Sequence, residues 1–298
     1  MIQQESSPRL TYSASVMSTP REPHILVVGT ASRDTLHLPS GIVQTIGGAG
    51  LYTALAAAQA GAHVTLCAPQ PQPMPPAFAD AAERLHWIGP LIAETELPRL
   101  AIAHHGDGKA TLLDAAWGAE QQLMDAHLPN NLSDFDAVHI AALSSAPRML
   151  DFAHACRARG ARFISAGTYF RLVQTAADVV RTLIDECDMF FMNDNEARGL
   201  FGHAFTQANA LPPPTKTLTF ITLGANGALV CAHADPRHVP APTAREVDPT
   251  GAGDTFCGTV LTALARGASP ITAAAAGCAA ASDMIQAAGP TNLLRIQR

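Results

Sequence analysis

The sequence predicts an α/β fold with three layers, in which helices cover both faces of a central, mostly parallel sheet. Short apolar runs of strand length alternate with longer runs of helical periodicity along most of the 298 residues, an alternation typical of βαβ units. Two segments, 38–48 and 98–116, alternate polar and apolar residues around glycines and predict strands that stand off the main sheet. Ligands of such sheets bind beyond the carboxyl ends of the strands.

The predicted elements follow the apolar runs and their glycine and proline boundaries. The predicted strands are HILVVG (24–29), HVTLCAP (63–69), AVHIAA (137–142), ARFISAG (161–167), DMFFMND (188–194), TFITLG (219–224) and GALVCAH (227–233). The predicted helices cover 51–60, 147–160, about 174–186, a run from Glu196, about 253–266 and 270–287. Two residues separate the last two strands, which therefore predict a hairpin.

Composition excludes several classes of protein. The formal net charge is −6 and lysine and arginine are scattered, so neither a nucleic-acid surface nor an anionic membrane surface is expected. No apolar run has the roughly 20 residues needed to span a bilayer. The six cysteines form no C-x-x-C pair, which favours isolated thiols in the cytoplasm. Residues 1–22 are polar and contain prolines, so we expect a disordered arm before one domain at 23–298.

The most informative segment is VDPTGAGDTFCG, residues 247–258. The glycines of Gly251-Ala252-Gly253 let backbone N–H groups converge where an apolar-periodic helix begins. Such a helix start favours negative charge through its unpaired donors and its dipole. An aspartate at this position, Asp254, has a simpler explanation as a helix cap that satisfies the same donors.

The string from Asp248 to Asp254 resembles the signature of the ribokinase-like (PfkB-type) carbohydrate kinase family, with Pro249 in place of the usual threonine. Three further elements resemble that family in the same order along the chain. They are Gly47-Gly48 before the first helix, Asn193-x-x-Glu196, and the loop Thr222-Leu223-Gly224-Ala225-Asn226-Gly227. The resemblance covers nearly all of the chain after the N-terminal arm, and it implies a ribokinase-like fold with a small β lid.

The resemblance also implies catalytic roles. Asp254 would be the general base that takes the proton from the acceptor hydroxyl. The N–H groups of Gly251, Ala252 and Gly253 would form an anion hole for the transferred phosphoryl group. Phosphoryl transfer depends mainly on positioning and charge stabilisation, which a turn of this kind supplies.

Nucleotide and metal roles follow from the same resemblance. Asn193 and Glu196 would place Mg²⁺ and the phosphates of ATP, partly through water, with a strand-end cap and an exposed helix acid as the alternative. Thr222, Gly224 and Gly227 would line the ATP site, with a plain hairpin turn as the alternative. A K⁺ site is also implied, formed by Asp248, the backbone near Thr250, and carbonyls at 287–289.

The acceptor side resembles the family less closely. Asp34 follows the first strand, where the family uses an aspartate to bind substrate hydroxyls, and Gly47 and Gly48 would border the same pocket; the alternative for Asp34 is a solvated loop acid. Tyr52 stands where many members have an asparagine. The strands of 38–48 and 98–116 match the lid, through which a homodimer would form. His104 and His105 abut the turn predicted at Gly106-Asp107-Gly108 and are expected to be exposed to solvent.

These features predict an ATP- and Mg²⁺-dependent kinase, a phosphotransferase with an alcohol group as acceptor, acting on a small sugar or cyclic polyol. A nucleoside kinase of the same superfamily is the alternative enzyme. A catalytically silent sugar-binding protein on the same fold is the alternative from another class. No G-x-x-x-x-G-K-[ST] string occurs, which excludes a P-loop kinase.

Overall fold

The computed structural model describes residues 21–105, 110–202, 205, 217–232 and 235–295. The strands are β1 (His24–Val28), β2 (Ser32–Leu38), β3 (Gly41–Gly47), β4 (His63–Cys67), β5 (Gln70–Pro71), β6 (His86–Ile88), β7 (Leu91–Ile92), β8 (Arg99–His104), β9 (Ala110–Ala116), β10 (Ala137–Ile140), β11 (Ile164–Gly167), β12 (Met189–Asn193), β13 (Leu218–Thr222), β14 (Ala228–Ala232) and β15 (Asp235–Val239). The α-helices are α1 (Ala49–Gln59), α2 (Ala79–Arg84), α3 (Ala146–Ala158), α4 (Phe170–Glu186), α5 (Asp194–Phe201), α6 (Ala252–Ala265) and α7 (Pro270–Met284).

The main sheet has the strand order β15-β14-β13-β12-β11-β10-β1-β4-β6. Every neighbouring pair from β13 to β6 is parallel, whereas β14 and β15 are antiparallel to their neighbours. This arrangement confirms the predicted mostly parallel sheet and the predicted hairpin of β13 and β14. The carboxyl ends of the parallel strands consequently meet at one edge, where a ligand site is expected.

Helices cover both faces of this sheet, as the alternation along β1 shows. Ile25 and Val27 pack with residues of α1, α6 and α7, while Leu26 and Val28 pack with residues of α3, α4 and α5. All four side chains are fully buried. A strand buried on both faces has to be apolar at every position, which explains its uninterrupted hydrophobic run and confirms the three-layer α/β/α fold.

A small separate sheet has the order β3-β2-β8-β9. The segments predicted to stand off the main sheet contain β3, β8 and β9, but β2 was not predicted. Its inward positions are Ser32, Asp34, Leu36 and Leu38, all buried. Two of these four buried positions are polar, so the sequence does not show the alternation of apolar and polar residues by which a half-buried strand is recognised.

Other differences from the prediction are local. β15 closes one edge of the main sheet although it contains Pro236, which an edge strand tolerates. α4 begins at Phe170, ahead of the predicted start, and bends at Ala176, whose φ and ψ are −149° and 38°. Residues 1–20 of the predicted disordered arm, and the predicted turn at 106–108, lie outside the described residues. None of the helices in the described ranges is long and apolar enough to cross a membrane.

Candidate active site

The turn at 248–254 leads directly into α6 at the carboxyl edge of the sheet. Gly251 precedes the first helical residue and is left-handed, with φ of 78°. The N–H of Thr250 donates to Asp248 Oδ1 at 2.9 Å, and the N–H of Ala252 donates to the carbonyl of Pro249 at 3.1 Å. The Ala252 donor is therefore engaged within the turn. The N–H groups of Gly251 and Gly253, by contrast, donate to no backbone acceptor among the described residues.

Only glycine fits at position 251. A Cβ there would lie 2.4 Å from two ring carbons of Tyr52, and the left-handed φ disfavours any other residue. A Cβ at Gly253 would meet no heavy atom within 4 Å. The turn is thus packed against Tyr52 on one side and open on the other, as a surface that receives a ligand has to be.

Gly251→Ala is expected to lower the free energy of unfolding by about 1–3 kcal/mol, since the added methyl group strains both the backbone and the Tyr52 contact. Gly253→Ala is the matched control, because it adds the same methyl group to the same turn in open space. Urea denaturation of both variants checks this. Equal stabilities would show that the 251 turn is not confined by Tyr52.

Asp254 lies in the first turn of α6. Its side chain keeps some accessible surface, yet the surrounding protein removes enough water to raise the pKa of the carboxyl to about 7. A carboxyl whose pKa lies near neutrality can gain and lose a proton at physiological pH, as general-base catalysis requires.

The raised pKa of Asp254 predicts a pH dependence of stability. Between about pH 4, where the unfolded carboxyl ionises, and about pH 7, where the folded one does, the folded state binds the extra proton. Folding is therefore progressively disfavoured as the pH rises through this window. Asp254→Asn lacks this proton, so its stability relative to the parent should increase from pH 4 to pH 7 and then level off. Urea titrations at several pH values measure the difference, and a constant difference would contradict the shift.

Asp34 and Gly47 lie together on neighbouring strands of the small sheet. The Asp34 side chain is 1% exposed, and a Cβ at Gly47 would lie 1.9 Å from its Oδ2. No hydrogen bond of normal geometry reaches either carboxylate oxygen. Burial raises the pKa of Asp34 to about 6, and the nearby Ser32 hydroxyl and Leu100 N–H reduce that shift. The carboxylate is thus largely ionised at neutral pH and has acceptor capacity for a polar ligand.

Gly48 lies at the start of α1, with φ of 101°. A Cβ at this position would lie 2.5 Å from the carbonyl oxygen of Thr30. The glycine pair therefore allows β3 and α1 to approach the carboxyl end of β1 and Asp34 closely. This explains the Gly47-Gly48 motif structurally, whatever ligand the pocket takes.

Tyr52 connects the two sides of the site. Its ring packs under Gly251, and its buried hydroxyl has no hydrogen-bond partner among the described residues. Burial raises the pKa of the phenol, and the charges of Asp248, Asp34 and Asp254 raise it further. Carboxylates from β2, the turn and α6 therefore each act on this one phenol, so Tyr52 lies between the Asp34 side and the Asp254 side of the site.

Asn193 and Glu196 form a reciprocal cap at the start of α5. Asn193 Oδ1 accepts from the Glu196 N–H at 2.9 Å, while Glu196 Oε2 accepts from the Asn193 N–H at 2.8 Å. Glu196 is 5% exposed, so the alternative of an exposed helix acid is wrong. Burial raises the pKa of Glu196 to about 8, and the negative charge of Asp254 adds to that shift.

The glycine loop lies beside this cap. Thr222 pairs directly with Asn193 across β13 and β12. Beyond it, Gly224 and Gly227 have positive φ, and the Gly227 N–H donates to the Gly224 carbonyl at 3.0 Å. A Cβ at Gly227 would lie 2.0 Å from the carbonyl oxygen of Val239. The loop is therefore a tight hairpin turn at the same sheet edge, with no polar contact to Asp254 among the described residues.

Glu196 and Asp248 are the carboxylates expected to hold Mg²⁺ and K⁺, respectively. Among the described residues, no three His, Cys, Asp or Glu side chains converge as a metal site. Mg²⁺ bound through phosphates and water needs only one or two carboxylates. Glu196 Oε1 and Oε2 already accept the side-chain amide and the N–H of Asn193 at 2.7 and 2.8 Å, so Glu196 would meet Mg²⁺ through water. At Asp248, where K⁺ is expected, Oδ1 and Oδ2 each already accept one N–H group, from Thr250 and Gly289, at 2.9 and 2.7 Å, so a cation would have to share these oxygens with protein donors.

His104 differs from the sequence prediction of an exposed loop residue. It ends β8, is 7% exposed, and its Nε2 lies 2.8 Å from Thr250 Oγ1 and 3.3 Å from Asp248 Oδ1. Burial lowers the pKa of His104, which outweighs the attraction of Asp248 and Glu246. His105 is exposed as predicted. The sequence carried no signal for the difference, since a contact across 146 residues depends on the packing of the small sheet.

A buried cysteine–histidine pair lies behind the turn. Cys257 Sγ is 3.6 Å from the His139 ring, and His139 Nδ1 is 2.9 Å from Ser165 Oγ. Burial lowers the pKa of His139 to about 3 and raises the pKa of Cys257. Both groups are thus neutral at physiological pH, so the pair contains no thiolate nucleophile.

The chain belongs to the pfkB family of carbohydrate kinases, whose sequence profile matches residues 14–297. It is a kinase, and therefore a phosphotransferase, of the ribokinase superfamily. A cytidine kinase of Thermococcus kodakarensis is 27% identical over 249 residues, which are 82% of this chain and 89% of that protein.

Solved structures of the same fold include sugar and nucleoside kinases. The adenosine kinase of Sinorhizobium meliloti is 18% identical, with a TM-score of 0.76 over 91% of this chain and 96% of that chain. The ribokinase of Cryptococcus neoformans in complex with ADP is 19% identical, with a TM-score of 0.73 over 92% of this chain and 97% of that chain. These similarities identify the fold and leave the acceptor open.

Proposed function

We propose that the protein transfers the γ-phosphoryl group of ATP to a hydroxyl of a small sugar or cyclic polyol. The observation that carries the proposal is the grouping of Asp254, Asp34 and Tyr52 beside the glycine turn. Asp34 would accept hydrogen bonds from two acceptor hydroxyls, and a third hydroxyl would then face Asp254. Buried carboxylates without partners are costly, and a polyol would satisfy them.

In the proposed reaction the acceptor oxygen attacks the γ-phosphorus as its proton passes to the Asp254 carboxylate. The bond from phosphorus to the bridging oxygen breaks, and ADP leaves. Negative charge on the transferred group would be stabilised by the N–H groups of Gly251 and Gly253 at the start of α6. Asn193, Thr222 and the turn at Gly224 and Gly227 would bind the nucleotide. Mg²⁺, where bound near Glu196, would neutralise phosphate charge.

The small sheet would act as a lid, because it carries Asp34 above the carboxyl edge of the main sheet. Its closure would exclude water, which otherwise competes with the acceptor hydroxyl for the phosphoryl group. Ile42, Leu112 and Leu113 are exposed apolar residues of this sheet, which supports the proposal that two copies associate through it. Sedimentation equilibrium distinguishes a dimer from a monomer.

A nucleoside acceptor is the second candidate, because an aromatic pair follows one strand from each of the two sheets. Trp117 follows β9 and Tyr169 follows β11, with ring centroids 6.0 Å apart. Such a pair offers a stacking surface for a base. The cytidine kinase similarity supports the same candidate.

A coupled assay of ADP release over sugars, inositols and nucleosides tests the proposal. ADP release that depends on one acceptor, and is lost in Asp254→Asn, is expected. Trp117→Ala should raise KM for a nucleoside but leave KM for a sugar unchanged, and so separates the two candidates. Nucleotide binding without transfer to any acceptor would instead indicate a silent binding protein.

A further inference from the structure

A single histidine ties the small sheet to the turn that precedes α6. His104 Nε2, at the end of β8, lies 2.8 Å from Thr250 Oγ1 and 3.3 Å from Asp248 Oδ1. We assign the ring hydrogen to Nε2, because an unprotonated nitrogen would turn its lone pair toward the Asp248 carboxylate oxygen. The imidazole therefore presents positive polarity to a fully buried carboxylate.

Asp248 is the centre of this arrangement. Its Oδ1 accepts the Thr250 N–H and its Oδ2 accepts the Gly289 N–H, at 2.9 and 2.7 Å. The side chain has no exposed surface, so its charge depends on these donors for stabilisation. Two N–H groups thus donate to the carboxylate directly, and His104 Nε2, hydrogen-bonded to Thr250 Oγ1, lies 3.3 Å from Oδ1 as a third polar neighbour.

A cation would compete with these donors. The hydrogen of each N–H group is the positive end of its dipole, and a monovalent cation at the same oxygens would be repelled by it. The Asp248 carboxylate is already stabilised by protein N–H groups. A bound ion would add positive potential beside the turn, and these fixed donors supply the same kind of potential.

We propose that His104 is a positioning residue that holds the 248–253 turn in shape, in the place where the family resemblance implies a K⁺ ion. Thr250, the partner of His104, immediately precedes Gly251. In the proposed function the N–H groups of Gly251 and Gly253 face the phosphoryl group. The inference rests on that function for its catalytic meaning. It predicts that the turn is independent of K⁺ and depends instead on the docking of the small sheet.

The test compares thermal unfolding and nucleotide affinity in KCl and in N-methyl-D-glucamine chloride at equal ionic strength. The ratio of the Kd for ADP to the Kd for ATP, measured by calorimetry, reports the γ-phosphate contact. Variants are His104→Leu, which removes the donor, and His104→Gln, whose amide nitrogen replaces Nε2. His105→Leu is the matched control, since the neighbouring imidazole is exposed and its Nε2 is hydrogen-bonded to Thr111 Oγ1 and not to the turn.

We expect the parent to show the same Tm and the same Kd ratio in both salts. His104→Leu should lower the ratio about tenfold, as loss of a hydrogen bond to a charged group predicts, while His104→Gln and His105→Leu stay close to the parent. A rise in Tm specific to K⁺, or a several-fold K⁺ effect on the parent's ratio, would overturn the inference. The inference would also be overturned if His104→Leu folded and showed the same Kd ratio as His105→Leu.

If His104→Leu does not fold, the comparison of KCl with N-methyl-D-glucamine chloride on the parent still tests whether the turn is independent of K⁺, and His104→Gln still tests the donor. A parent that binds neither nucleotide would contradict the proposed function, and the Tm comparison would still test the inference. The two failures are therefore distinguishable.

Discussion

Asp254→Asn is expected to fold and bind nucleotide as the parent does, and to lose at least about a hundredfold in kcat. A positioned general base typically contributes about 10²–10⁴-fold to the rate, and asparagine keeps the size of the side chain but cannot accept the proton. Steady-state kinetics with the acceptor found in the ADP-release screen measure the effect.

A suitable control is Asp80→Asn, which makes the same change at an exposed aspartate in the first turn of α2. Its kcat should equal that of the parent. If Asp254→Asn also turned over at nearly the parental rate, the assignment of Asp254 as the base would be wrong, whatever the shift in its pKa.

The second large effect is expected at Asp34. Asp34→Ala should raise KM for the acceptor by tenfold or more and leave KM for ATP nearly unchanged, because charge-assisted hydrogen bonds are worth about 1.5–3 kcal/mol each. The carboxylate is buried against Gly47 and no hydrogen bond of normal geometry reaches its oxygens, so it retains acceptor capacity for the hydroxyls of a ligand.

Asp34→Asn separates binding from packing, because it keeps the contact with Gly47 and removes the charge. We expect an intermediate KM for the acceptor and parental stability. If KM for the acceptor and KM for ATP rose together in Asp34→Ala, Asp34 would be a structural residue, and the acceptor pocket would lie elsewhere.

Much of the fold could be predicted because its strongest signals are local. β1 is apolar at successive positions because both of its faces are covered, and α6 begins where a glycine turn allows it. The strands β2 and β15 could not be predicted, since Asp34 and Pro236 interrupt the patterns by which strands are recognised. Each is stabilised by its neighbours in a sheet and not by its own sequence.

The candidate site shows the same division. The sequence alone determined which residues are proposed to carry the chemistry: the glycine turn before α6, Asp254 in its first turn, Asn193 with Glu196, and Asp34. Their spacing is a local property that a short string records.

Only the tertiary structure decided how these groups are related. It brings the charges of three carboxylates to bear on Tyr52, raises the pKa of Asp254 to about 7, and brings His104 to Asp248, which lies 144 positions further along the chain. Burial and Coulomb interactions depend on distances in space between segments that are far apart in sequence. A local pattern contains no information on those distances, so the packing of the small sheet against the turn had to be seen.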